Sequence, residues 1–332
     1  MKALVLGGTR NLGPQIVDAL IAEGYAVTVL NRGLTPGELP KQVERLRADR
    51  GKKGEFAAAL GKREFDLVVD TTLYNGVDAA STVELLNGKV GRYIFLSTGQ
   101  VYLVMEFAER PFVEDQYDGP LMARPPESRP ADVKNWLYGV EKREAEDVLF
   151  EARDKHKFPF TTLRLPMINS ERDHYDRIYG YLLRLWDGGP IVLPEDNLAL
   201  RHVYAKDVVQ AIVKSANKTE AAGRAYNISQ EETFSIEEFL ALLGEIVGSE
   251  FKTARVPRAK LDEHNLLPAC SPFSDAWMSE LDNRRGKSEL GMRYTPTREY
   301  LARLVEHYAK QPRRDVEAYK RRSLELEIAA KA

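Results

Sequence analysis

A tyrosine and a lysine lie four residues apart in the segment Tyr138-Gly139-Val140-Glu141-Lys142. On a helix this spacing places both side chains on one face, about one turn apart. A neighbouring ammonium group favours the phenolate and lowers the pKa of a tyrosine. The pair could therefore act as a general acid and base between an alcohol and a ketone.

A hydroxyl group is expected close to this pair. The segment Tyr93–Ser97 is mostly apolar, which predicts a buried strand, and Thr98 follows it directly. Ligands of parallel sheets bind beyond the carboxyl ends of the strands. Thr98 therefore supplies a hydroxyl where a ligand is expected, and Gln100, from the same strand end, is a candidate for contact with a substrate.

A glycine-rich turn follows the first apolar run, Ala3–Leu6. Its residues, Gly7-Gly8-Thr9-Arg10-Asn11-Leu12-Gly13, open a segment whose apolar residues recur at helical spacing. Small residues at such a turn let backbone N–H groups and the helix N-terminus approach a pyrophosphate. Because the turn follows a predicted strand and opens a predicted helix, it predicts a dinucleotide site. The absence of Gly-Lys-Ser/Thr at its end argues against a P-loop. The alternative is a tight turn without a ligand.

The type of dinucleotide depends on the end of the second predicted strand, Ala26–Leu30. An NAD-specific site usually has an acidic side chain here, whereas this chain has Asn31 and then Arg32. A guanidinium can pair with the 2′-phosphate of NADP, and Arg10 supplies a second cation. These charges predict NADP. If Arg32 is only a solvated loop residue, the cofactor is NAD.

The elements that must position these residues alternate along the chain. Further strands are predicted at Val43–Leu46, Asp66–Asp70 and Phe160–Leu165, and helices at 136–153, 175–187, 207–217, 235–247 and 297–309. This alternation predicts an α/β fold of the Rossmann type with a doubly wound parallel sheet. The proline-rich residues 106–135 are expected to form a lid-like loop, and the charged residues 313–332 a peripheral helix.

Composition restricts the class of protein. The 332 residues carry a formal net charge of −2, so there is no electrostatic reason to expect nucleic acid or a membrane as the main partner. The single cysteine, Cys270, excludes an intrachain disulfide and is typical of a cytoplasmic protein. No apolar run approaches the ~18 residues of a membrane span. The five scattered histidines have no metal-site spacing, so we expect no metal.

These motifs together resemble the extended short-chain dehydrogenase/reductase family, in an atypical subgroup of its NAD-dependent epimerase/dehydratase branch. The resemblance rests on the glycine turn, Ser97-Thr98-x-x-Val101-Tyr102, the Tyr138 and Lys142 pair, Leu163-Arg164-Leu165-Pro166 and His202–Val208. It implies that Tyr138 exchanges a proton with the substrate and that Thr98 hydrogen-bonds the same oxygen. Lys142 would hold the nicotinamide ribose and lower the pKa of Tyr138.

The resemblance also implies further cofactor contacts and a domain organisation. Asp49, followed by Arg50, would contact the adenine, Asp70-Thr71-Thr72 would line the cofactor cleft, and Pro166 and Ile168 would lie near the nicotinamide carboxamide. Residues 1–170 would form the cofactor domain. Residues 171–312 would form most of a substrate domain, partly interleaved with the first. The Tyr138 helix would form a homodimer interface.

Departures from the family pattern bear on the substrate. Gly99 and Gln100 stand where sugar 4,6-dehydratases carry an Asp–Glu pair, so that elimination is not expected. Arg201 stands one residue from the position of a phosphate-binding arginine in many UDP-sugar epimerases, and His174 lies in the predicted substrate region. We list both, with Gln100, as substrate candidates.

The expected function is hydride transfer at a hydroxyl or carbonyl carbon of a sugar nucleotide or a related small molecule. Neither the motifs nor the resemblance distinguishes epimerisation from net oxidation or reduction. The alternative is a non-catalytic cofactor sensor or an RNA-associated protein of the same fold. The set Thr98, Tyr138 and Lys142 argues for the enzyme, because a sensor needs no proton donor beside the nicotinamide.

Overall fold

The computed structural model describes residues 1–35 and 37–332. Within them, the strands are β1 Lys2–Leu6, β2 Ala26–Asn31, β3 Glu44–Arg47, β4 Phe65–Asp70, β5 Val90–Thr98, β6 Phe160–Leu165, β7 Met167–Asn169, β8 Ile191–Pro194, β9 Ala199–Leu200, β10 His202–Tyr204, β11 Arg224–Asn227, β12 Phe234–Ser235 and β13 Thr253–Val256. The helices are α1 Leu12–Ala22, α2 Lys53–Leu60, α3 Gly76–Leu86, α4 Gln100–Leu103, α5 Pro130–His156, α6 Arg177–Asp187, α7 Ala205–Ala216, α8 Ile236–Val247, α9 Arg258–Glu263, α10 Arg284–Leu290, α11 Thr297–Ala309 and α12 Arg322–Ala329.

The described residues form a central parallel sheet of seven strands in the order β11-β6-β5-β4-β1-β2-β3. On one side of β1 the sheet continues with β2 and β3, and on the other side with β4, β5 and β6. The direction of winding therefore reverses between β1 and β4. Leu6 pairs with both Leu30 and Asp70, which brings the carboxyl ends of three strands to one edge. A doubly wound sheet binds ligands in the crevice at this reversal. The predicted Rossmann-type fold is confirmed.

Apolar side chains cover both faces of this sheet. On one face, α1 buries Ile16, Val17 and Leu20 against the strands, and α7 packs beside it. On the other face, α2, α3 and α5 enclose a second apolar cluster. Because both faces are covered, the inner strands are buried along most of their length.

A second, smaller unit follows β6. Helices α6, α8 and α11 enclose an apolar cluster that includes Tyr181, Phe239 and Leu301. Short strand pairs, β10 with β7 and β13 with β8, connect its segments. The chain then returns to the central sheet, since β11 at residues 224–227 pairs with β6. The two units are therefore interleaved along the sequence.

Residues 106–135 differ from the expected lid-like loop. Helix α5 already begins at Pro130, six residues before the predicted start, because proline fits the first turn of a helix. Upstream of it, Phe112, Glu114 and Tyr117 are buried, and residues 114–118 form a 3₁₀ helix. Most of this insertion is therefore held by contacts with the rest of the protein.

The C-terminal residues also differ from the expected peripheral helix. A 3₁₀ turn at Glu317–Tyr319 precedes the short helix α12, in which Arg322 and Glu325 are buried. Leu326, in the same helix, is 38% exposed. The segment is held by charged side chains as well as by apolar ones. No helix in residues 1–35 or 37–332 is long and apolar enough to cross a membrane.

Candidate active site

A cleft of about 700 Å³ lies at the carboxyl edge of the sheet, where the strand order reverses. Its size is typical of a small-molecule or cofactor site. Of the residues predicted to bind a cofactor or to act in catalysis, nearly all line it: Gly7, Thr9, Arg10, Asn11, Leu12, Gly13, Asn31, Arg32, Asp49, Arg50, Thr71, Thr72, Thr98, Tyr138, Lys142, Pro166 and Ile168. The sheet therefore brings residues from positions 7 to 168 into one site.

The glycine turn forms a cradle that side chains would fill. Gly7 and Gly8 have φ values of +102° and +80°, which glycine adopts without strain. A Cβ on Gly7 would lie 2.2 Å from Thr71 Oγ1, and one on Gly13 would lie 2.4 Å from the carbonyl carbon of Gly8. The turn thus packs closely against β4 and brings the start of α1 to the cleft. Helix N-termini favour phosphate groups.

Asn11, at the start of α1, leaves a polar atom without a partner. Its side-chain Oδ1 is buried and has no hydrogen-bond partner in the described residues. Buried polar groups are normally hydrogen-bonded, so an orphan in a cleft indicates a missing ligand or water. Together with the glycine cradle, this orphan fits a dinucleotide.

The end of β2 is fastened to the same turn. Asn31 donates from Nδ2 to the carbonyl oxygen of Gly7 at 3.0 Å, and its Oδ1 accepts from the Gly33 amide at 2.8 Å. Asn31 thereby holds the strand end against the glycine turn. Arg10 and Arg32 line the cleft and are exposed, so both guanidinium groups face a place where phosphate could bind.

Tyr138 and Thr98 meet in the cleft. Burial raises the pKa of Tyr138 to about 12, the nearby Tyr74 adds to the rise, and a side-chain hydrogen bond with Thr98 opposes it. The Thr98 hydroxyl also accepts a 3.3 Å hydrogen bond from the backbone amide of Gln100. At neutral pH the Tyr138 phenol is therefore protonated in the chain alone.

Lys142 makes its hydrogen bonds in the described residues with backbone carbonyl groups. Its Nζ lies 5.9 Å from the centre of the Tyr138 ring and donates to the carbonyl oxygens of Leu73, at 2.6 Å, and Leu96, at 3.0 Å. Burial lowers the pKa of Lys142 to about 7, and Asp70 and Glu146 oppose that fall.

Asp70 lies beneath the cleft and does not line it. It is fully buried, and its carboxylate accepts from Arg50 Nη1 at 2.5 and 2.7 Å and from the Tyr93 hydroxyl at 2.6 Å. Burial alone would lower the pKa of Arg50, but the Asp70 carboxylate raises it above its ordinary value. Asp70 therefore positions Arg50, which also donates from Nη2 to Thr82 at 2.7 Å.

Two of the three substrate candidates lie outside this cleft. Gln100 donates from Nε2 to Asn135 Oδ1 at 3.0 Å. Arg201 donates from Nε to Thr233 Oγ1 at 2.6 Å and from Nη1 to the Leu281 carbonyl at 3.2 Å. His174 does line the cleft, and burial lowers its pKa.

Two tyrosines in the cleft were not anticipated from the sequence. Tyr74 follows the end of β4, and its ring centre lies 6.5 Å from that of Tyr138 and 4.9 Å from Lys142 Nζ. Tyr175 packs on His174, with 4.0 Å between ring centres. Both remain largely exposed, at 49% and 64%. The only sequence signal was their position directly after Leu73 and His174, residues close to predicted site segments.

A metal centre was not expected from the sequence. Among residues 1–35 and 37–332, no group of three or more His, Cys, Asp or Glu side chains is placed to hold a metal ion. Cys270 is buried, and burial raises its pKa.

Known proteins resemble this chain in sequence and in fold. A 2′-dehydrokanamycin reductase of Streptomyces kanamyceticus is 25% identical over 262 residues, which cover 77% of this chain and 70% of that protein. The chloroplast stem-loop binding protein of 41 kDa b of Arabidopsis thaliana is 25% identical over 247 residues, covering 70% of this chain and 59% of that protein. The chain thus spans less than two thirds of the second relative.

Among solved structures, the UDP-glucose 4-epimerase of Thermotoga maritima, determined with UDP-glucose, has a TM-score of 0.72. The two chains are 21% identical, and the match covers 93% of this chain and 99% of the epimerase chain. At this identity the likeness concerns the fold. The NAD dependent epimerase/dehydratase family matches residues 3–229, more than half of the 332 residues. The chain therefore belongs to the NAD dependent epimerase/dehydratase family.

Proposed function

We propose that this protein is a nicotinamide-dependent oxidoreductase or epimerase that acts on a hydroxyl or carbonyl carbon of a small molecule, with Tyr138 as the acid and base. The observation that carries the proposal is that Thr98, Tyr138 and Lys142 line the same cleft as the glycine cradle. A proton donor beside a dinucleotide site is what carbonyl reduction requires.

The glycine turn, with Gly7, Gly13 and the first amides of α1, would hold the pyrophosphate. Asp49 would contact the adenine, and Pro166 and Ile168 the nicotinamide end. The bound nicotinamide would supply or accept a hydride. In this proposal residues 1–170 serve mainly the cofactor and residues 171–312 mainly the substrate.

The chain's own residues would then handle the proton. Thr98 and Tyr138 both donate to the substrate oxygen, which fixes its position above the end of β5. Lys142 would contact the nicotinamide ribose, the role that the resemblance to the family implies. The pKa of Tyr138, about 12 in the chain alone, keeps the phenol protonated at neutral pH. A protonated phenol can donate to a carbonyl oxygen, and one relative is named a reductase.

We propose NADP as the preferred cofactor and NAD as the alternative. Arg32 and Arg10 support NADP because both are exposed on the cleft and Asn31 stands where an acidic side chain would repel a 2′-phosphate. The description of the family favours NAD. The test of Arg32 is given in the Discussion.

We also propose that 4,6-dehydration is not catalysed. Elimination needs a second acid and base pair next to Thr98, and this chain has Gly99 and Gln100 there. The side-chain amide of Gln100 donates a hydrogen bond to Asn135.

A non-catalytic protein is the second candidate, because the plant relative is named for stem-loop binding. The arrangement of Thr98, Tyr138 and Lys142 favours the enzyme. A gel-shift titration with a stem-loop RNA and a matched duplex separates the two candidates, and we expect no stem-loop selectivity.

The proposal is tested by substitution of Tyr138. Oxidation of NADPH and NADH is followed over a panel of keto-sugars and ketones, and Tyr138→Phe is then compared with the wild type. We expect kcat to fall by about 10²–10⁴-fold with no change in the dissociation constant of the cofactor. Tyr25→Phe is the control, because Tyr25 precedes β2 at the opposite edge of the sheet. Full activity of Tyr138→Phe, or failure of both cofactors to bind, contradicts the proposal.

A further inference from the structure

A segment of the second unit lies directly against the strand end that carries Thr98. We call residues 275–282 the clamp segment. A Cβ built on Gly99 would lie 2.2 Å from Ser279 Oγ and 3.0 Å from Leu281 Cδ2. Ser279 and Leu281 are both buried. The clamp segment is therefore packed against Gly99, the residue that follows Thr98.

Arg110 and the first turn of α5 hold the clamp segment. Arg110 donates from Nη1 to the carbonyl oxygen of Met278 at 2.6 Å and from Nη2 to that of Ala276 at 3.2 Å. Trp277 donates from its indole nitrogen to Asp132 Oδ1 at 2.9 Å. These three hydrogen bonds hold residues 276–278 of the clamp segment in place.

The backbones of the insertion and the clamp segment are also paired. Phe112 donates its amide to the carbonyl oxygen of Glu280 at 2.8 Å, and Asp282 donates its amide to that of Phe112 at 2.8 Å. Phe112 itself is buried and stacks on Tyr102, with 5.3 Å between ring centres. The insertion and the clamp segment therefore form one continuous wall beside the site.

The cation expected to bind a substrate diphosphate is engaged with this wall. Arg201 is bonded to Thr233 and to the Leu281 carbonyl, and its Nε lies 3.7 Å from a carboxylate oxygen of Glu280. A diphosphate needs cationic donors that are free to pair with its oxygens. In this arrangement the Arg201 guanidinium is not free to pair with a diphosphate.

Two exposed aromatic side chains belong to the lining of the cleft. The rings of Tyr74 and Tyr175, 49% and 64% exposed, form what we call its rim, and the Tyr74 ring centre lies 6.5 Å from that of Tyr138. Such rings supply apolar contact area, while their hydroxyls bond polar groups. This rim suits a compact molecule with both polar and apolar faces.

We infer that the substrate is a compact hydroxyl- or carbonyl-bearing compound without a nucleoside diphosphate group, bound between Tyr138 and the rim formed by Tyr74 and Tyr175. A sugar that carries no nucleotide is of this class. The inference rests on the proposed function and narrows its substrate. The inference is drawn from the clamp segment, which packs against Gly99 next to Thr98, and from Arg201, which is bonded to that segment.

The inference is tested by calorimetric titration of the full chain with UDP, UDP-glucose and dTDP-glucose, with and without saturating NADPH. We expect no saturable binding at concentrations up to about 1 mM, a limit equivalent to weak association. Saturable binding of any of the three nucleotides to the wild type in the presence of saturating NADPH overturns the inference, and its loss in Arg201→Ala would identify the site responsible. Binding that saturating NADPH abolishes belongs to the cofactor site.

A second measurement asks whether the rim binds the substrate. For the best non-nucleotide substrate of the panel, Tyr175→Ala should raise KM at least about fivefold, since one exposed aromatic contact is worth on the order of 1 kcal/mol. The dissociation constant of NADPH should not change. Phe107→Ala is the control, because Phe107 is 75% exposed and lies outside the cleft. An unchanged KM in Tyr175→Ala contradicts the inference.

The two proposals can fail separately. If a nucleotide sugar binds and its turnover depends on Tyr138, the proposed chemistry stands and the inference about the substrate is wrong. If a compact substrate binds at the rim but Tyr138→Phe turns it over at the wild-type rate, the substrate class stands and the acid and base assignment is wrong.

Discussion

The Nζ atom of Lys142 donates a 2.6 Å hydrogen bond to the carbonyl oxygen of Leu73, the third residue after the end of β4. This bond joins α5 to the edge of the sheet at the floor of the cleft. In this position the Lys142 Nζ atom lies 5.9 Å from the centre of the Tyr138 ring. Lys142 is 3% exposed, so its charge has no solvent to stabilise it.

This burial predicts a pH-dependent stability in the cofactor-free protein. Burial lowers the pKa of Lys142 from 10.5 to about 7. Between these values the unfolded chain binds the proton and the folded chain does not, so the free energy of unfolding rises with pH. Below pH 7 the amine is protonated in both states, so the folded state bears the full free-energy cost of burying the charge. Relative to Lys142→Met, the wild type should gain about 2–3 kcal/mol between pH 7 and 9.5.

Urea unfolding at several pH values measures this gain. Lys134→Met is the control, because Lys134 is an exposed lysine of the same helix, and its difference from the wild type should not depend on pH. A difference between Lys142→Met and the wild type that is constant or shrinks as the pH rises would show that the amine is charged in the folded state.

A second prediction concerns the choice of cofactor. Arg32→Ala should lower the preference for NADPH over NADH, measured as the ratio of kcat/KM values or of dissociation constants, by about tenfold, which is roughly 1.4 kcal/mol. Arg45→Ala is the control, because Arg45 is an exposed arginine of β3 that does not line the cleft. If Arg32→Ala and Arg45→Ala have the same ratio as the wild type, the assignment to NADP is wrong.

A third prediction concerns the C-terminal helix. Arg184 donates from Nε to Glu325 at 2.9 Å, and both side chains are buried, at 0% and 1% exposure. Glu325→Ala leaves a buried guanidinium without its carboxylate and should cost about 3–5 kcal/mol of unfolding free energy. Glu317→Ala removes an exposed pair with Lys320 and should cost less than about 1 kcal/mol. Equal losses in chemical denaturation would contradict a structural role for α12.

The sequence predicts the central sheet well because its signal is local. Apolar runs such as Phe160–Leu165 are strands with the same bounds in the structure, and helix 297–309 is also reproduced. Proline is less easily interpreted. Pro130 looks like an interruption of a pattern, yet at the first position of a helix its missing N–H removes no hydrogen bond.

The location of the cleft was also predictable, since strand ends and a glycine turn define it. The partners of the charged groups in and near the cleft were not predictable. Asp70 and Arg50 neutralise each other beneath the cleft, and Arg201 contacts the carbonyl of Leu281, 80 residues further along the chain. Such pairings depend on the tertiary structure. For the same reason the spacing of Tyr138 and Lys142 did not reveal that the amine would point to Leu73.

The position of β11 at the margin of the sheet has a consequence for preparing fragments of this protein. A fragment cut at residue 170 would lose β11 and leave the backbone N–H and C=O groups of β6 without their partner strand. Unpaired edges of this kind recruit other chains and promote aggregation. The cofactor domain would therefore need residues 224–227 to be produced as a well-behaved monomer, so the smallest useful fragment is discontinuous in sequence.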